Sequence, residues 1–365
     1  MSLATQSPDK LTIIDTIEEL HFYLKEALVL EHATIPPYLT ALYSIKPGTN
    51  LDARNILRVV AVEEMLHLTL AANVLNAVGG TPSLTYAGFV PTYPTYLPNG
   101  ETDFQVSLMP FSKEAVDMFI QIERPAKKNE GKRLIKRMRR QSCLARLHHE
   151  RDPELHFYSI GEFYEEIIEG LDRLYEQLGD ALFCGDPKRQ ITPDYYYSGG
   201  GTIIPVVDIE SAKAALHLIV DQGEGHGGST AGEDGEFSHY YRFQQLRLGQ
   251  YYRTGDAPNQ PTGERFEVDW GSVYPVKTNA KVADYPLEDA ELYAAAKEFN
   301  NEYFSFLKQL EEAFTGRPEI LIPAVGQMFQ IKELANALMR NPIPEMEDVN
   351  AAPTFEVGPP TGPTR

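Results

Sequence analysis

Cysteine is nearly absent from this chain. Only Cys143 and Cys184 occur among 365 residues, so no disulfide framework can be built, and a reducing, cytoplasmic compartment is expected. A basic surplus is also missing. Lys and Arg number 33 against 52 Asp and Glu, a net charge of -19. Nucleic-acid binders carry the opposite balance, so no nucleic-acid partner is expected. No uninterrupted apolar run approaches the ~18 residues that span a bilayer. The segment Met1 to Lys10 is polar and lacks the apolar region of a signal peptide, so no membrane partner is expected either. The glycine-rich stretch Gly223 to Gly235 has no preceding strand and no Lys-Ser/Thr, which excludes a phosphate loop and leaves a linker or a lid.

What the chain does have is a long helical stripe with the wrong residues on it. Ile56 to Val78 contains no Gly or Pro. At about 100° per residue, Ile56, Val59, Val60, Ala71, Val74 and Val78 share one face. Glu64 and His67 fall on that same face. A carboxylate and an imidazole on an apolar face need a partner, because an unpaired buried charge is very costly. Glu-x-x-His sets both one turn apart, the spacing for joint coordination of a metal ion. Glu63 also shares the inner side with His67 and is the alternative ligand to Glu64. The spacing recurs at Glu236-Phe237-Ser238-His239. A third occurrence, Glu18 to His21, points away from its helix's stripe and reads as solvated.

In chain order, Ile14 to Ile45 is predicted as the first long helix, capped by Asp15 or Thr16. Its stripe runs through Leu20, Tyr23, Leu24, Ala27, Ile35, Tyr38 and Leu42, with Glu31 near the centre. Pro36-Pro37 is expected to kink or bulge it one turn past Glu31. Gly79-Gly80-Thr81-Pro82 ends the second helix. A long insertion over residues 81–153 follows. It contains a proline-rich run from Phe89 to Pro98, a short strand at Phe104 to Leu108, a short helix capped by Ser112, and a basic stretch from Lys127 to Arg151. That stretch reads as a solvated segment or a dock for an acidic surface. The third helix spans 155–178. Glu162, Glu165, Glu166 and Glu169 all lie off its stripe, so phase nominates none of them, whereas His156 lies on it. The fourth helical region covers 208–248 around the glycine-rich break. Tyr251 to Pro286 is irregular, and residues 287–340 form a closing helical pair.

The inward candidates are thus Glu31, Glu64 with His67, a third-helix carboxylate, and Glu236 with His239. One Glu from each of two helices plus one Glu-x-x-His from each of two others is the dimetal set of ferritin-like carboxylate bundles. Mixed oxygen and nitrogen ligation favours iron or manganese, and zinc accepts it too. The expected cofactor is two iron ions.

The chain also resembles a known family, the ferritin-like domain associated with iminophenyl-pyruvate dimer synthases of the violacein and rebeccamycin type. The resemblance rests on Leu30-Glu31-His32-Ala33-Thr34-Ile35-Pro36-Pro37-Tyr38, Glu63-Glu64-Met65-Leu66-His67 and Ser159-Ile160-Gly161-Glu162-Phe163-Tyr164. It continues in Asp221-Gln222-Gly223-Glu224-Gly225, Ser238-His239-Tyr240-Tyr241-Arg242-Phe243 and Ala352-Pro353-Thr354-Phe355-Glu356. It implies an all-α, ferritin-like four-helix bundle with an insertion between helices 2 and 3 and two extra C-terminal helices, as a single domain over 1–365. It also implies Glu162 as the third-helix ligand, against the helical phase. The dimer synthases are longer, and this chain corresponds to their ferritin-like part. The expected function is an oxygen-dependent dimetal oxidoreductase acting on a small amino-acid-derived or secondary metabolite, in a chain that forms a homo-oligomer. Arg242 and His226 are candidates to bind an acidic substrate. The alternatives are an iron-handling ferroxidase and a metal-stabilised scaffold without catalysis.

Overall fold

A computed structural model describes residues 14–99, 103–125, 157, 159–197, 199–225, 236–286, 290–344 and 346–357. Among them are eight α-helices and no strand longer than an isolated bridge. The expected strand at Phe104 to Leu108 reduces to the pairing of Val106 with Thr95.

Helix α1, Ile17–Ser44, starts with a capping box. Thr16 accepts from the Glu19 backbone, and the Glu19 carboxylate returns to the Thr16 backbone. Pro36 and Pro37 do not end it. Pro37 has no N–H to give the carbonyl of Ala33, and the Tyr93 hydroxyl donates to that oxygen instead, at 2.8 Å. Helix α2, Leu51–Ala77, follows after a short turn, so the two run antiparallel. They share the most extensive helix–helix interface among the described residues.

Helix α3, Lys113–Ile122, is capped by Ser112. Helix α4, Ile160–Leu178, is capped by Ser159. Helix α5, Ile209–Gly223, is capped by Asp208 and Ser211 together. Helix α6 covers His239–Leu248. The pair α4 and α5 lies against α1 and α2 and completes four helices around one core. Leu24, Val60, Val74, Leu171 and Leu216 are fully buried there, each contributing roughly 1.5–3 kcal/mol. The C-terminal helices α7, Ala290–Phe314, and α8, Leu321–Arg340, pack on each other. They cover the outer side of α2 and α1 respectively.

Helix α3 lies inside the segment read as an insertion, yet it packs on α6. Tyr38 of α1, Phe119 of α3 and Phe243 of α6 form the joint, with ring centroids 4.8 to 5.2 Å apart. Glu123 lies one turn beyond Phe119, and His239 one turn before Phe243. That joint therefore brings both beside α1.

Candidate metal centre

Two groups of donor side chains form inside the bundle, each with its ligand atoms within 4.8 Å of one another. One is Glu31, Glu64 and His67, and the other is Glu64, Glu123 and His239. All five residues are buried, and Glu64 belongs to both groups.

Each imidazole presents Nδ1 to the carboxylates and is held from behind at Nε2. His67 Nδ1 lies 3.4 Å from Glu31 Oε2 and 3.6 Å from Glu64 Oε1. Its Nε2 meets Gln222 Oε1 at 2.9 Å, and Gln222 in turn donates to the carbonyl of Gly200. His239 Nδ1 lies 2.8 Å from Glu64 Oε1 and 3.6 Å from Glu123 Oε1, while its Nε2 meets Glu63 Oε2 at 3.0 Å. Outer partners of this kind fix ring orientation and, in the neutral ring, the tautomer with a lone pair on Nδ1.

The carboxylates are held by hydroxyls. Tyr164 donates to Glu31, Thr34 donates to Glu64 Oε2 at 2.6 Å, and Tyr38 donates to Glu123 at 2.5 Å. For Glu31 and Glu64 this leaves the second oxygen facing the histidines. Burial, then the charge of Glu31, raises the Tyr164 hydroxyl well above its ordinary range, so it stays a donor. Burial and Glu123 do the same to Tyr38.

Electrostatics tie the groups together. Burial opposes ionisation of Glu64, but His239 and His67 overcome it and hold its carboxyl well below the usual range. Burial likewise opposes a charge on His67, yet Glu31 and Glu64 push it up to about 10. His239 is raised against burial by Glu123, Glu63 and Glu64. Burial raises Glu31 and Glu123, and the charge of Glu64 adds to both.

The donor set fits a pair of metal ions. His239 Nδ1 is fully buried and faces Glu64 at 2.8 Å and Glu123 at 3.6 Å. The carboxylates draw a proton onto each imidazole, and a divalent cation in its place would satisfy the same charges and leave both rings neutral. Three carboxylates and two such imidazoles supply mixed oxygen and nitrogen ligation for divalent ions.

Of the residues nominated from sequence, the structure brings together Glu31, Glu64, His67 and His239. Glu162 and Glu236 are in neither group. Glu236 precedes α6 and is exposed, with its carboxylate 2.7 Å from Arg242. Helix α6 starts only at His239, so the Glu-x-x-His spacing spans a helix start and does not set both side chains on one face. Glu162 lies in the first turn of α4, where Tyr164 instead reaches Glu31. Gly161 marks a close approach to the Glu224 carboxylate, which accepts its N–H at 2.5 Å and would be struck by any Cβ there. Glu63, the alternative ligand, faces His239 rather than His67. Glu166 is buried and paired with Arg173 at 2.8 Å. Arg242 is committed to Glu236 and the Phe237 carbonyl. His21 does not sit free in solvent, because its Nε2 meets the Val78 carbonyl at 2.7 Å. His156, His226 and the basic stretch 127–151 lie outside the described residues.

Glu123 went unread in the sequence. One signal was there, since a carboxylate at the C-terminal end of a short amphipathic helix opposes the helix dipole, and Glu123 is the C-cap of α3.

A helical bundle with carboxylates and imidazoles gathered at its centre defines a class, and the chain belongs to it. The Ferritin-like family model matches residues 24–248. Over 337 residues, 85% of this chain, the sequence is 28% identical to dichlorochromopyrrolate synthase from Lentzea aerocolonigenes, and the match spans 30% of that relative's length. The crystal structure of a ferritin like protein from Caulobacter vibrioides superposes with a TM-score of 0.61. It covers 90% of this chain and 96% of its own at 22% identity, which is a likeness of fold. No helix among the described residues is long and apolar enough to cross a membrane.

Proposed function

We propose that this protein is an oxygen-dependent dimetal oxidoreductase acting on a small amino-acid-derived or secondary metabolite, with iron as its metal. One observation carries the reading. Glu64 Oε1 lies between the Nδ1 atoms of His67 and His239, so one carboxylate serves two adjoining donor groups. Glu31, Glu64 and His67 would hold one ion, and Glu64, Glu123 and His239 the other. Bound iron would supply the redox equivalents for oxidation by dioxygen.

The remaining residues do what a protein can do for such a centre. Tyr164, Thr34 and Tyr38 fix the carboxylates, and Gln222 and Glu63 fix the imidazoles. Full burial of the donors keeps bulk water from the reacting groups. The likeness to a dichlorochromopyrrolate synthase supports a small-metabolite substrate. Its much greater length leaves that relative's whole reaction beyond what this chain is proposed to do.

The test is metal analysis followed by oxygen uptake. Protein loaded anaerobically with Fe(II) should hold about two ions per chain. It should then consume oxygen faster when aromatic amino-acid-derived imino or keto acids are supplied. Oxygen uptake that no organic substrate accelerates would favour iron handling. Bound metal with no uptake at all would leave a structural role.

A further inference from the structure

The described residues also form a cavity away from the carboxylates. It lies on the outer side of the α1–α2 pair, under α7 and α8, with a volume of about 570 Å³. Its walls include the residues that directly follow the donor positions, His32 after Glu31, Met65 after Glu64 and Leu68 after His67. A single residue turns a helix by about 100°, so the cavity and the metal-binding groups occupy different faces of the same two helices.

Most of the lining is apolar, with Leu39 and Leu68 opposite Phe306 and Phe314. The volume falls within the roughly 300–1,000 Å³ of small-molecule sites. One buried polar atom is unspent: His32 is 1% exposed, its Nε2 meets the Tyr303 hydroxyl at 2.9 Å, and its Nδ1 has no partner.

The cavity's charge is of one sign. Arg54 and Arg58, one turn apart on α2, and Lys332 of α8 line it. Arg54 donates to the Ile45 carbonyl and Arg58 to Asn55, and none of the three has an ion pair among the described residues. In a chain of net charge -19, three cations without carboxylates around an apolar cavity call for an anion from outside.

We infer that this cavity is a second ligand site, which takes a small organic acid with an extended apolar body. The body fills the space between α1, α2, α7 and α8, and the acid group meets Arg54, Arg58 and Lys332. The site stands whether or not the carboxylates bind metal.

Calorimetric titration of the purified protein tests it. The probes are decanoate and 2-naphthoate, with decan-1-ol and decyltrimethylammonium as neutral and cationic controls. One acid should bind with one-to-one stoichiometry, and which of them does so distinguishes a chain-like from a ring-like body. The neutral alcohol should bind about tenfold more weakly, and the cation weaker still. Arg58→Glu combined with Lys332→Glu should cost the acid about tenfold and leave the alcohol unchanged. Val325→Trp should block both, with an unfolding midpoint near that of the parent confirming the fold. Metal content, measured on the same samples, should not change. No saturable binding of either acid, equal binding of the cation, or binding untouched by Val325→Trp would overturn the inference.

Discussion

The imidazoles of His67 and His239 stack, with ring centroids 5.3 Å apart and planes 24° from parallel. They come from helices α2 and α6, and Glu64 faces the Nδ1 of each. In the proposed dimetal centre each ring would serve one ion, with Glu64 common to both donor groups. His67→Ala and His239→Ala should each lower metal content from about two ions per chain to one or fewer, because carboxylates do not replace a neutral nitrogen donor and a buried charge loses its partner. Glu123→Ala should do the same. Glu162→Ala, Glu236→Ala and Glu18→Ala should keep the parent content. Elemental analysis of the six variants checks this. Loss at Glu162 or Glu236, with none at Glu123, would reverse the ligand assignment.

The long helices were legible because their apolar stripes are long. Periodicity placed Glu31, Glu64 and His67 inside the bundle, and cap chemistry located Ser112 and narrowed the start of α1 to Asp15 or Thr16, of which Thr16 is the cap. Local pattern failed where the site depends on how segments meet. His239 was found by a spacing rule whose geometry does not hold, since α6 begins at His239 itself. Glu123 follows a ten-residue helix in a proline-broken segment, and only the joint of Tyr38, Phe119 and Phe243 brings it to the centre. At α4 the resemblance nominates Glu162, whereas the side chain that reaches Glu31 there is Tyr164, two residues on.

Tyr164→Phe and Tyr38→Phe test the hydroxyls behind the carboxylates. Each removes a single donor and leaves the ring, so packing persists. Loss of such an outer partner should weaken metal binding by roughly 10–100-fold. A competition titration with a metal-sensitive chelator reads the change. Affinity within a factor of about two of the parent for both variants would mean that the hydroxyls do not orient the carboxylates.

Gly200→Ala tests the loop behind His67. Gly200 has φ +76°, and a Cβ there would come within 2.9 Å of the Glu63 Cα and 3.0 Å of the Val62 carbonyl. These are backbone atoms of α2 and cannot move aside. The substitution should cost roughly 1–3 kcal/mol in denaturant unfolding. It should also weaken metal binding, because the Gly200 carbonyl holds Gln222 against His67. Gln222→Ala should reproduce the weaker binding with a smaller loss of stability. Metal affinity at the parent level in Gly200→Ala, with the stability loss present, would separate the loop from the site.

Glu26 carries a pH dependence of its own. It lies on α1 and is 5% exposed, and burial raises its carboxyl to about 7 from the ordinary 4.5. The sign follows from proton binding. Between the ordinary value and the raised one, the folded protein holds a proton that the unfolded chain has released, so stability falls as pH rises through that window and the loss is complete above it. Below the ordinary value both states are protonated and nothing is lost. Glu26→Gln keeps the shape and removes the titration. The variant's stability advantage over the parent should therefore grow by about 2–3 kcal/mol between pH 5 and pH 8. Urea unfolding of both proteins at the two pH values measures it. An advantage that is the same at both, or that shrinks toward pH 8, would mean that Glu26 is ionised in the folded protein at neutral pH.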